Sequence, residues 1–304
     1  MKRDPPPSHS TGSPQACAPP DFAPRRPRLR LPASACDCHA HILGPARVHP
    51  YSPRRVYTPP DCLLPDYENM LATLGLARAV LVQPSVYGED NAVLLEALER
   101  GGGRFRGVAV IDPAAHDLEL ARLHALGVRG VRANVVDVPG REPGALPLER
   151  LRALAQRIAP LGWHLELLLH VDEFPELDRA FRGFPVDLVF GHLGYAGTRR
   201  GLDDPGFRAL LRLLAGGRCW VKLSGPYRIS ADALPYGDVV PFARALAETR
   251  GDRLLWGSDW PHVMLKGTMP NDADLLELLA DWLPGETARR HVLVDNPAAL
   301  YGFS

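Results

Sequence analysis

Two histidines separated by one residue are the first feature of this sequence that could carry out chemistry. His39 and His41 lie in an apolar segment that is typical of a β-strand. Alternate side chains of a strand project from the same face, so both imidazoles are expected to point into one site. Imidazoles act as metal ligands and as acids, bases or hydrogen-bond donors in catalysis. A structural histidine pair would have the same spacing, so the pair alone does not decide its role.

Polar residues with similar chemistry follow other short apolar segments along the chain. They are Gln83, Arg132, Asn134, His170, His192, Lys222, Ser224, Asp259 and His262. Several imidazoles and a carboxylate could hold a divalent metal, typically zinc, which would activate a bound water. The same groups could act without a metal, the carboxylate as general base and the imidazoles polarising a carbonyl group. Spacing leaves both alternatives open.

The elements that must position these residues alternate regularly. Apolar, β-rich segments predict eight strands, over residues 35–42, 79–83, 107–111, 130–134, 164–170, 186–192, 219–224 and 253–259. Segments with helical spacing lie between them, over residues 64–74, 91–100, 117–126, 147–161, 175–181, 204–214 and 239–249. Strands joined by crossover helices run parallel. Eight such units predict a (β/α)8 TIM barrel, whose active site forms at the C-terminal ends of the strands.

The competing doubly wound α/β sheet is disfavoured because no glycine-rich phosphate loop follows the first strand. We therefore expect a single (β/α)8 barrel domain over residues 33–304. Residues 1–32 differ in composition, because they hold nine of the 31 prolines and show no periodicity. This segment is predicted to be a disordered Pro/Arg-rich extension.

Charge and hydropathy exclude several classes of function. The sequence has 35 lysines and arginines and 35 aspartates and glutamates, so its net charge is zero. No overall positive potential would therefore favour binding of nucleic acid. No apolar run approaches the roughly 20 residues of a membrane span. No apolar stretch follows Lys2 and Arg3, so a cytoplasmic protein is expected. Five cysteines without a CxxC pair give no indication of a disulfide framework.

Several motifs resemble the 2-pyrone-4,6-dicarboxylate lactonase branch of the amidohydrolase superfamily. They are DCHAHILGP at residues 37–45, GVRGVR at 127–132, GHLG at 191–194, LWGSDWPH at 255–262 and LVDNP at 293–297. The resemblance extends over residues 33–303. It implies a (β/α)8 barrel that hydrolyses a small cyclic ester in the breakdown of aromatic or sugar acids.

The resemblance also implies roles for individual residues. Asp259 matches the base that activates water. His39, His41 and His192 match histidines that orient and polarise the lactone carbonyl. Residues that match groups gripping the substrate are Arg132, Arg228 and Tyr57, an arginine being suited to a carboxylate because of its planar fork. We expect the same substrate site to include Gln83, Asn134, Ser224, His262 and Tyr195.

Two departures from the branch bear on the substrate and the cofactor. Tyr195 and Val138 stand where the pyrone lactonase has arginines, which predicts a monocarboxylated or sugar lactone in place of the pyrone dicarboxylate. His170 is typical of metal-binding members of the superfamily. The metal set implied by this resemblance is His39, His41, His170 and Asp259, holding one zinc or manganese ion. The branch also contains metal-independent members, so the expected cofactor is either one such ion or none.

The sequence therefore predicts a hydrolase that opens a small, carboxylated lactone with water activated by Asp259. Its expected partner is that small molecule, with no nucleic acid and no membrane. One alternative is a metal-dependent decarboxylase of the same superfamily. The other is a barrel that binds a metabolite without turning it over.

Overall fold

Eight parallel strands form the centre of the computed structural model, which describes residues 13–136, 142 and 144–303. They are β1 (Cys36–Ala40), β2 (Arg78–Val82), β3 (Phe105–Ala109), β4 (Val128–Asn134), β5 (His164–Leu168), β6 (Leu188–Phe190), β7 (Cys219–Leu223) and β8 (Leu254–Trp256). Each strand pairs with the next in chain order. The chain after β8 returns to β1, where Asp259 N donates to His39 O and His41 N donates to Trp260 O, both at 2.8 Å. The predicted TIM barrel is confirmed.

Helices cover the outside of the barrel. They are α1 (Leu64–Leu74), α2 (Ala92–Gly101), α3 (Asp117–Ala125), α4 (Leu148–Ile158), α5 (Leu177–Ala180), α6 (Pro205–Ala215) and α7 (Val240–Arg250), followed after β8 by α8 (Asp272–Glu277), α9 (Leu279–Trp282), α10 (Glu286–Arg290) and α11 (Asn296–Tyr301). In α4 the buried residues Leu151, Leu154, Ala155 and Ile158 recur at helical spacing, which places one apolar face on the sheet. In the described part of the chain, no helix has the length and apolar character needed to cross a membrane.

The interior of the barrel is filled by side chains from strands on all its sides. A separate apolar cluster contains Cys36, Cys38, Val80, Val82, Val108, Val189, Trp220, Leu255, Tyr301 and Phe303. Residues of opposite strands can meet only inside the barrel, so this cluster fills its lower part, where the chain's C-terminal residues close it. The register of β1 against β2 shifts between Asp37 and Ala40. This shift interrupts the regular alternation of side chains in the part of β1 that contains His39.

The N-terminal segment differs from its prediction of disorder wherever the structure describes it, from residue 13 onward. Gln15–Ala16 pairs in parallel with Tyr57–Thr58. Arg25 and Arg28 form ion pairs with Glu277 of α8, at 2.9 and 2.8 Å. An extended, proline-rich segment has no periodicity of its own, so tertiary contacts such as these hold it in place. Residues 1–12 lie outside the described residues.

Candidate active site

Three buried side chains meet at the C-terminal end of the barrel. His39 comes from the end of β1, His192 from the turn after β6 and Asp259 from the turn after β8. His39 Nε2 lies 3.8 Å from Asp259 Oδ1, and His192 Nδ1 lies 3.8 Å from Asp259 Oδ2. Within residues 13–136, 142 and 144–303, these are the only three groups of metal-ligand type whose ligand atoms lie so close together. The predicted convergence of strand ends is therefore present for these three residues.

Unusual backbone conformations turn two of these side chains into the site. His192 has φ 51° and Asp259 has φ 65°, values that non-glycine residues rarely adopt. Such conformations cluster at functional sites, where the surrounding structure holds them in place. Gly257 allows the close approach of β8 to β1, because a Cβ atom there would lie 2.6 Å from His39 Cβ. Gly225 similarly leaves space beside His192 and Asp259.

The two oxygens of Asp259 have different surroundings. Oδ2 accepts hydrogen bonds from Arg228 Nε at 2.6 Å and from the Tyr227 hydroxyl at 2.7 Å. Oδ1 is buried and has no hydrogen-bond partner. Burial opposes ionisation, but the Arg228 guanidinium holds the pKa of Asp259 well below its usual range. The carboxylate is thus ionised, with Oδ2 fixed by its two donors and Oδ1 available to a water or substrate.

His39 contacts a buried ion pair on its other side. Lys222 Nζ lies 3.1 Å from His39 Nδ1 and 2.6 Å from Glu166 Oε2. Both side chains of the pair are at most 2% exposed. Burial, together with the charge of Lys222, lowers the pKa of His39, so this imidazole is neutral. Glu166 was not predicted as a site residue, and the only sign of it in the sequence is a charge that interrupts the apolar run of β5.

The other two predicted catalytic histidines are also buried and neutral. His41 Nδ1 lies 2.7 Å from the carbonyl oxygen of Val82, and its ring is 5.0 Å from that of His39. His192 Nδ1 lies 3.0 Å from the hydroxyl of Ser224. Burial is the main cause that lowers the pKa of both histidines well below the ordinary value. They therefore act as polar, uncharged groups around Asp259.

A second chain of contacts leads from Asp259 to the barrel rim. The Tyr227 hydroxyl lies 2.9 Å from His262 Nδ1 as well as bonding Asp259. His262 Nε2 lies 3.2 Å from Asp272 Oδ1, and both residues are fully buried. His262 was predicted as a substrate residue, whereas Tyr227 and Asp272 were not. Tyr227 lies in a turn after β7 and Asp272 begins α8, so neither had a strand-end signal.

Predicted substrate residues at the ends of β2 and β4 border a neighbouring cavity of about 440 Å³, which Gln83, Arg132 and Asn134 help to line. Gln83 Nε2 donates to the carbonyl of Asp90 at 2.7 Å, so its amide braces a loop. Arg132 Nη1 donates to the carbonyl of Gln83 at 3.0 Å. Tyr57 is buried, and burial raises its pKa to about 12.

His170 is not part of the cluster formed by His39, His192 and Asp259. Its ring stacks on Tyr195, with 4.7 Å between centroids and 14° between planes. Tyr195 in turn meets His192 edge-on, with 5.1 Å between centroids. The possible metal ligands that lie close together are therefore His39, His192 and Asp259. The set predicted from the sequence shares His39 and Asp259 with this group but has His41 and His170 in place of His192. Val138, the second position that departs from the family pattern, lies outside the described residues.

A (β/α)8 barrel that gathers a carboxylate, imidazoles and an arginine at the C-terminal strand ends has the architecture of a TIM-barrel hydrolase. Residues 36–303 match the amidohydrolase family model. The chain therefore belongs to the amidohydrolase family and is an enzyme, as its motifs predicted.

Relatives match almost the whole chain. The 2-pyrone-4,6-dicarboxylate hydrolase of Comamonas testosteroni is 38% identical over 287 residues, which are 91% of this chain and 93% of that protein. The 4-sulfomuconolactone hydrolase of Rhizobium radiobacter is 39% identical over 274 residues, 90% of this chain and 91% of that protein. A crystal structure from Pseudomonas putida, provisionally named as a 2-pyrone-4,6-dicarboxylic acid hydrolase, superposes with a TM-score of 0.77 at 35% identity, covering 90% of this chain and 99% of that one.

Proposed function

We propose that this enzyme hydrolyses a small carboxylated lactone, using Asp259 to activate the attacking water. The observation that carries the proposal is the asymmetry of Asp259, which is ionised, held at Oδ2 and unpaired at Oδ1. The two relatives described above are named as hydrolases of a pyrone dicarboxylate and of a sulfomuconolactone. Both names describe acidic cyclic esters, which supports the same class of substrate here.

The reaction begins with a water hydrogen-bonded to Asp259 Oδ1. Asp259 takes a proton from this water while the oxygen attacks the lactone carbonyl carbon. Negative charge develops on the carbonyl oxygen, where the neutral imidazoles of His39 and His192 provide preorganised dipoles. The bond between the carbonyl carbon and the ring oxygen then breaks. The departing oxygen takes the proton from Asp259, which yields a ring-opened hydroxy or keto acid and restores the carboxylate.

Two arginines have different tasks in this proposal. Arg228 uses Nε for Asp259 and Nη2 for the carbonyl of Val263 at 3.1 Å, so it fixes the base. Arg132 borders the cavity of about 440 Å³ and is half-buried. It is the better candidate to bind the substrate's acidic group, with Tyr57 and Asn134 beside it. Tyr195 in place of an arginine favours a substrate with one carboxylate.

A divalent zinc or manganese ion would suit the spacing of His39, His192 and Asp259, but the surrounding charges oppose it. The Arg228 guanidinium already contacts Asp259, and the Lys222 ammonium already contacts His39. These two cations are balanced by Asp259 and Glu166. A dication would leave two excess positive charges in a buried site, which is costly. We therefore assign the chemistry to the side chains and derive no step through a metal.

The two alternatives from the sequence have less support. A decarboxylase of this superfamily would depend on the metal that the charges oppose. A barrel that only binds a metabolite would not need an ionised carboxylate with a free oxygen in the left-handed backbone conformation. The family to which the chain belongs and the hydrolases among its relatives favour catalysis.

The proposal is tested by assaying ring opening of lactones with one and with two carboxylates. Wild-type enzyme should hydrolyse at least one of them, with kcat/KM higher for the monocarboxylated members. Asp259→Asn should lower kcat by about 10²- to 10⁴-fold, the range for a general base. Asp281→Asn, at an exposed position, is the matched control and should be fully active. An active Asp259→Asn enzyme would refute the mechanism.

The assignment of chemistry to side chains is tested by metal analysis of the same preparations. We expect no stoichiometric zinc or manganese and unchanged turnover in the presence of a chelator. About one ion per chain with chelator-sensitive turnover would contradict it and return the decarboxylase to consideration, which release of carbon dioxide would then identify.

A further inference from the structure

The Lys222–Glu166 ion pair lies inside the barrel, directly beneath His39. TIM-barrel interiors are normally filled by branched apolar residues. A buried ion pair gives little or no net stability compared with apolar side chains of similar volume, because both charges lose their hydration. Lys222 and Glu166 are nevertheless both nearly inaccessible to solvent. The pair therefore needs an explanation other than stability, and its contact with His39 provides one.

The direction of the hydrogen bond between Lys222 and His39 is set by chemistry. An ammonium group has only donors, so His39 Nδ1 must accept in the 3.1 Å contact. A neutral imidazole whose Nδ1 accepts carries its hydrogen on Nε2. Glu166 Oε1 lies 3.3 Å from the same Nδ1, farther than Lys222 Nζ, while Glu166 Oε2 accepts from Lys222 at 2.6 Å. Glu166 thus holds the lysine, and the lysine determines the tautomer.

The Nε2 atom of His39 faces the position where the reaction takes place. It is buried and unpaired, 3.8 Å from the equally unpaired Asp259 Oδ1. An Nε2–H group there would donate to an oxygen bound beside Asp259. An imidazole in this tautomer has no lone pair on Nε2 and cannot ligate a metal through that atom.

His41 has the opposite arrangement. Its Nδ1 contacts the carbonyl oxygen of Val82 at 2.7 Å. A carbonyl only accepts, so His41 carries its hydrogen on Nδ1 and presents a lone pair at Nε2. Two histidines one residue apart are therefore held in complementary tautomers, one a donor toward the site and the other an acceptor.

We propose that Lys222, held by Glu166, is a positioning residue that fixes His39 as the Nε2–H tautomer, so that His39 donates a hydrogen bond to the substrate's carbonyl oxygen. The identity of the acceptor rests on the proposed lactone hydrolysis. The tautomer itself does not, because it is a property of the resting enzyme and can be measured without substrate.

The tautomer is measured by long-range 1H–15N spectra of enzyme labelled with 15N-histidine, at one fixed neutral pH. Comparison with the His39→Gln variant identifies the His39 signals. We expect the Nε2–H pattern in the wild-type enzyme and the Nδ1–H pattern in Lys222→Met, because Glu166 is then the nearest acceptor for Nδ1. Lys266→Met, at a solvent-facing lysine, is the control and should leave the spectrum unchanged. An Nδ1–H pattern in the wild-type enzyme overturns the proposal.

Lys222→Met leaves Glu166 as an uncompensated buried charge and could fail to fold. The double variant Glu166→Gln with Lys222→Met removes both charges and retains similar volume. We expect it to fold and to lose the exclusive Nε2–H form of His39. If the double variant folds with His39 still entirely in the Nε2–H form, Lys222 does not set the tautomer.

Kinetics separate a positioning role from a structural one. In whichever variant folds, we expect kcat to fall by about tenfold or more with little change in KM, because a donor to the developing oxyanion acts mainly in the transition state. An unchanged kcat in a variant whose tautomer has changed would overturn the role assigned to His39. If no lactone is hydrolysed by the wild-type enzyme but the spectra are as expected, the proposed function fails and the tautomer assignment stands.

Discussion

Asp259 combines two requirements that usually conflict in a buried carboxylate. In the proposed mechanism it must stay ionised in a site without bulk water, and it must keep one oxygen available for a reactant. Arg228 and Tyr227 meet the first requirement at Oδ2. The unusual backbone conformation at Asp259, with φ 65°, directs Oδ1 toward His39. The same low pKa makes Asp259 a weak base, so its efficiency depends on placement of the water and on stabilisation of the oxyanion.

The hydroxyl of Tyr227 provides a test of this arrangement. Tyr227→Phe removes a hydrogen bond to Asp259 Oδ2 and leaves His262 Nδ1 without its contact. A hydrogen bond to a charged group is worth about 1.5 to 3 kcal/mol. We therefore expect kcat/KM to fall by about 10- to 100-fold for the preferred lactone. The matched control is Tyr301→Phe, since the buried Tyr301 hydroxyl has no hydrogen-bond partner. Equal losses in both variants would show that Tyr227 acts only through packing.

The site residues that the sequence predicted are those with a positional signal. His39, His192 and Asp259 end predicted strands, and parallel strands in a barrel bring such ends together. Glu166 and Tyr227 had no comparable signal, because their roles depend on partners that are distant in sequence. Lys222 was at a predicted strand end, but its meaning appears only with Glu166 and His39 beside it. Prediction from sequence thus found the carboxylate, the imidazoles and Arg228, but not Glu166 and Tyr227, which contact them from other parts of the chain.

At the scale of elements, the regular alternation of strands and helices was predictable and the N-terminal segment was not. Eight strands repeat one pattern, so a wrong prediction for one strand would hardly change the predicted fold. Residues 13–32 have no periodicity to reveal their contacts. The pairing of Gln15–Ala16 with Tyr57–Thr58 joins this segment to a predicted substrate residue. The N-terminal segment therefore belongs to the surroundings of the site, although the family model matches only residues 36–303.

The attachment of this segment through Glu277 can be tested by proteolysis. The Glu277 carboxylate accepts a hydrogen bond from Arg28 N at 2.7 Å and forms ion pairs with the side chains of Arg25 and Arg28. The side chains of Arg25 and Arg28 are partly and largely exposed, so solvent screens both ion pairs and each contributes little to stability. We expect Glu277→Gln to be cleaved by trypsin after Arg25 or Arg28 up to about fivefold faster than wild type. Glu286→Gln, at an exposed position on α10, should be cleaved at the wild-type rate. An unchanged rate in Glu277→Gln would mean that other contacts hold the segment.

At the scale of the whole molecule, the barrel encloses an unusual number of neutral histidines. His39, His41, His192 and His164 are all buried, and burial is the first cause that lowers each pKa, in His164 to about 4. In the unfolded chain the same residues titrate near 6.5. As the pH falls through that value, the unfolded chain binds protons that the folded chain does not. Stability must therefore decrease as the pH is lowered.

The loss of stability caused by the histidines is least affected by other groups between about pH 7.5 and 6. As the pH approaches 6 the opposite effect of Asp37 sets in and grows below pH 6, because burial raises its pKa to about 6, so the folded chain takes up that proton before the unfolded chain does. Between pH 7.5 and 6, His41, His164 and His192, whose pKa values lie well below the ordinary value, should each lower the free energy of unfolding by about 0.8 kcal/mol. Urea unfolding at several pH values in this range measures the total.

His164→Phe removes the contribution of one buried histidine to this loss of stability and leaves the proposed catalytic residues unchanged. The His164 ring meets Tyr301 edge-on at 5.2 Å and lies against Gly130, so a phenyl ring preserves the packing. We expect the variant to lose about 0.8 kcal/mol less stability than wild type between pH 7.5 and 6. His291→Phe, at an exposed histidine, should keep the wild-type dependence. If His164→Phe has the same pH dependence as wild type, His164 takes up its proton in the folded barrel over the same pH range as in the unfolded chain. The barrel interior would then accept an additional buried positive charge, which would weaken the case that the charges near His39 and Asp259 oppose a metal ion.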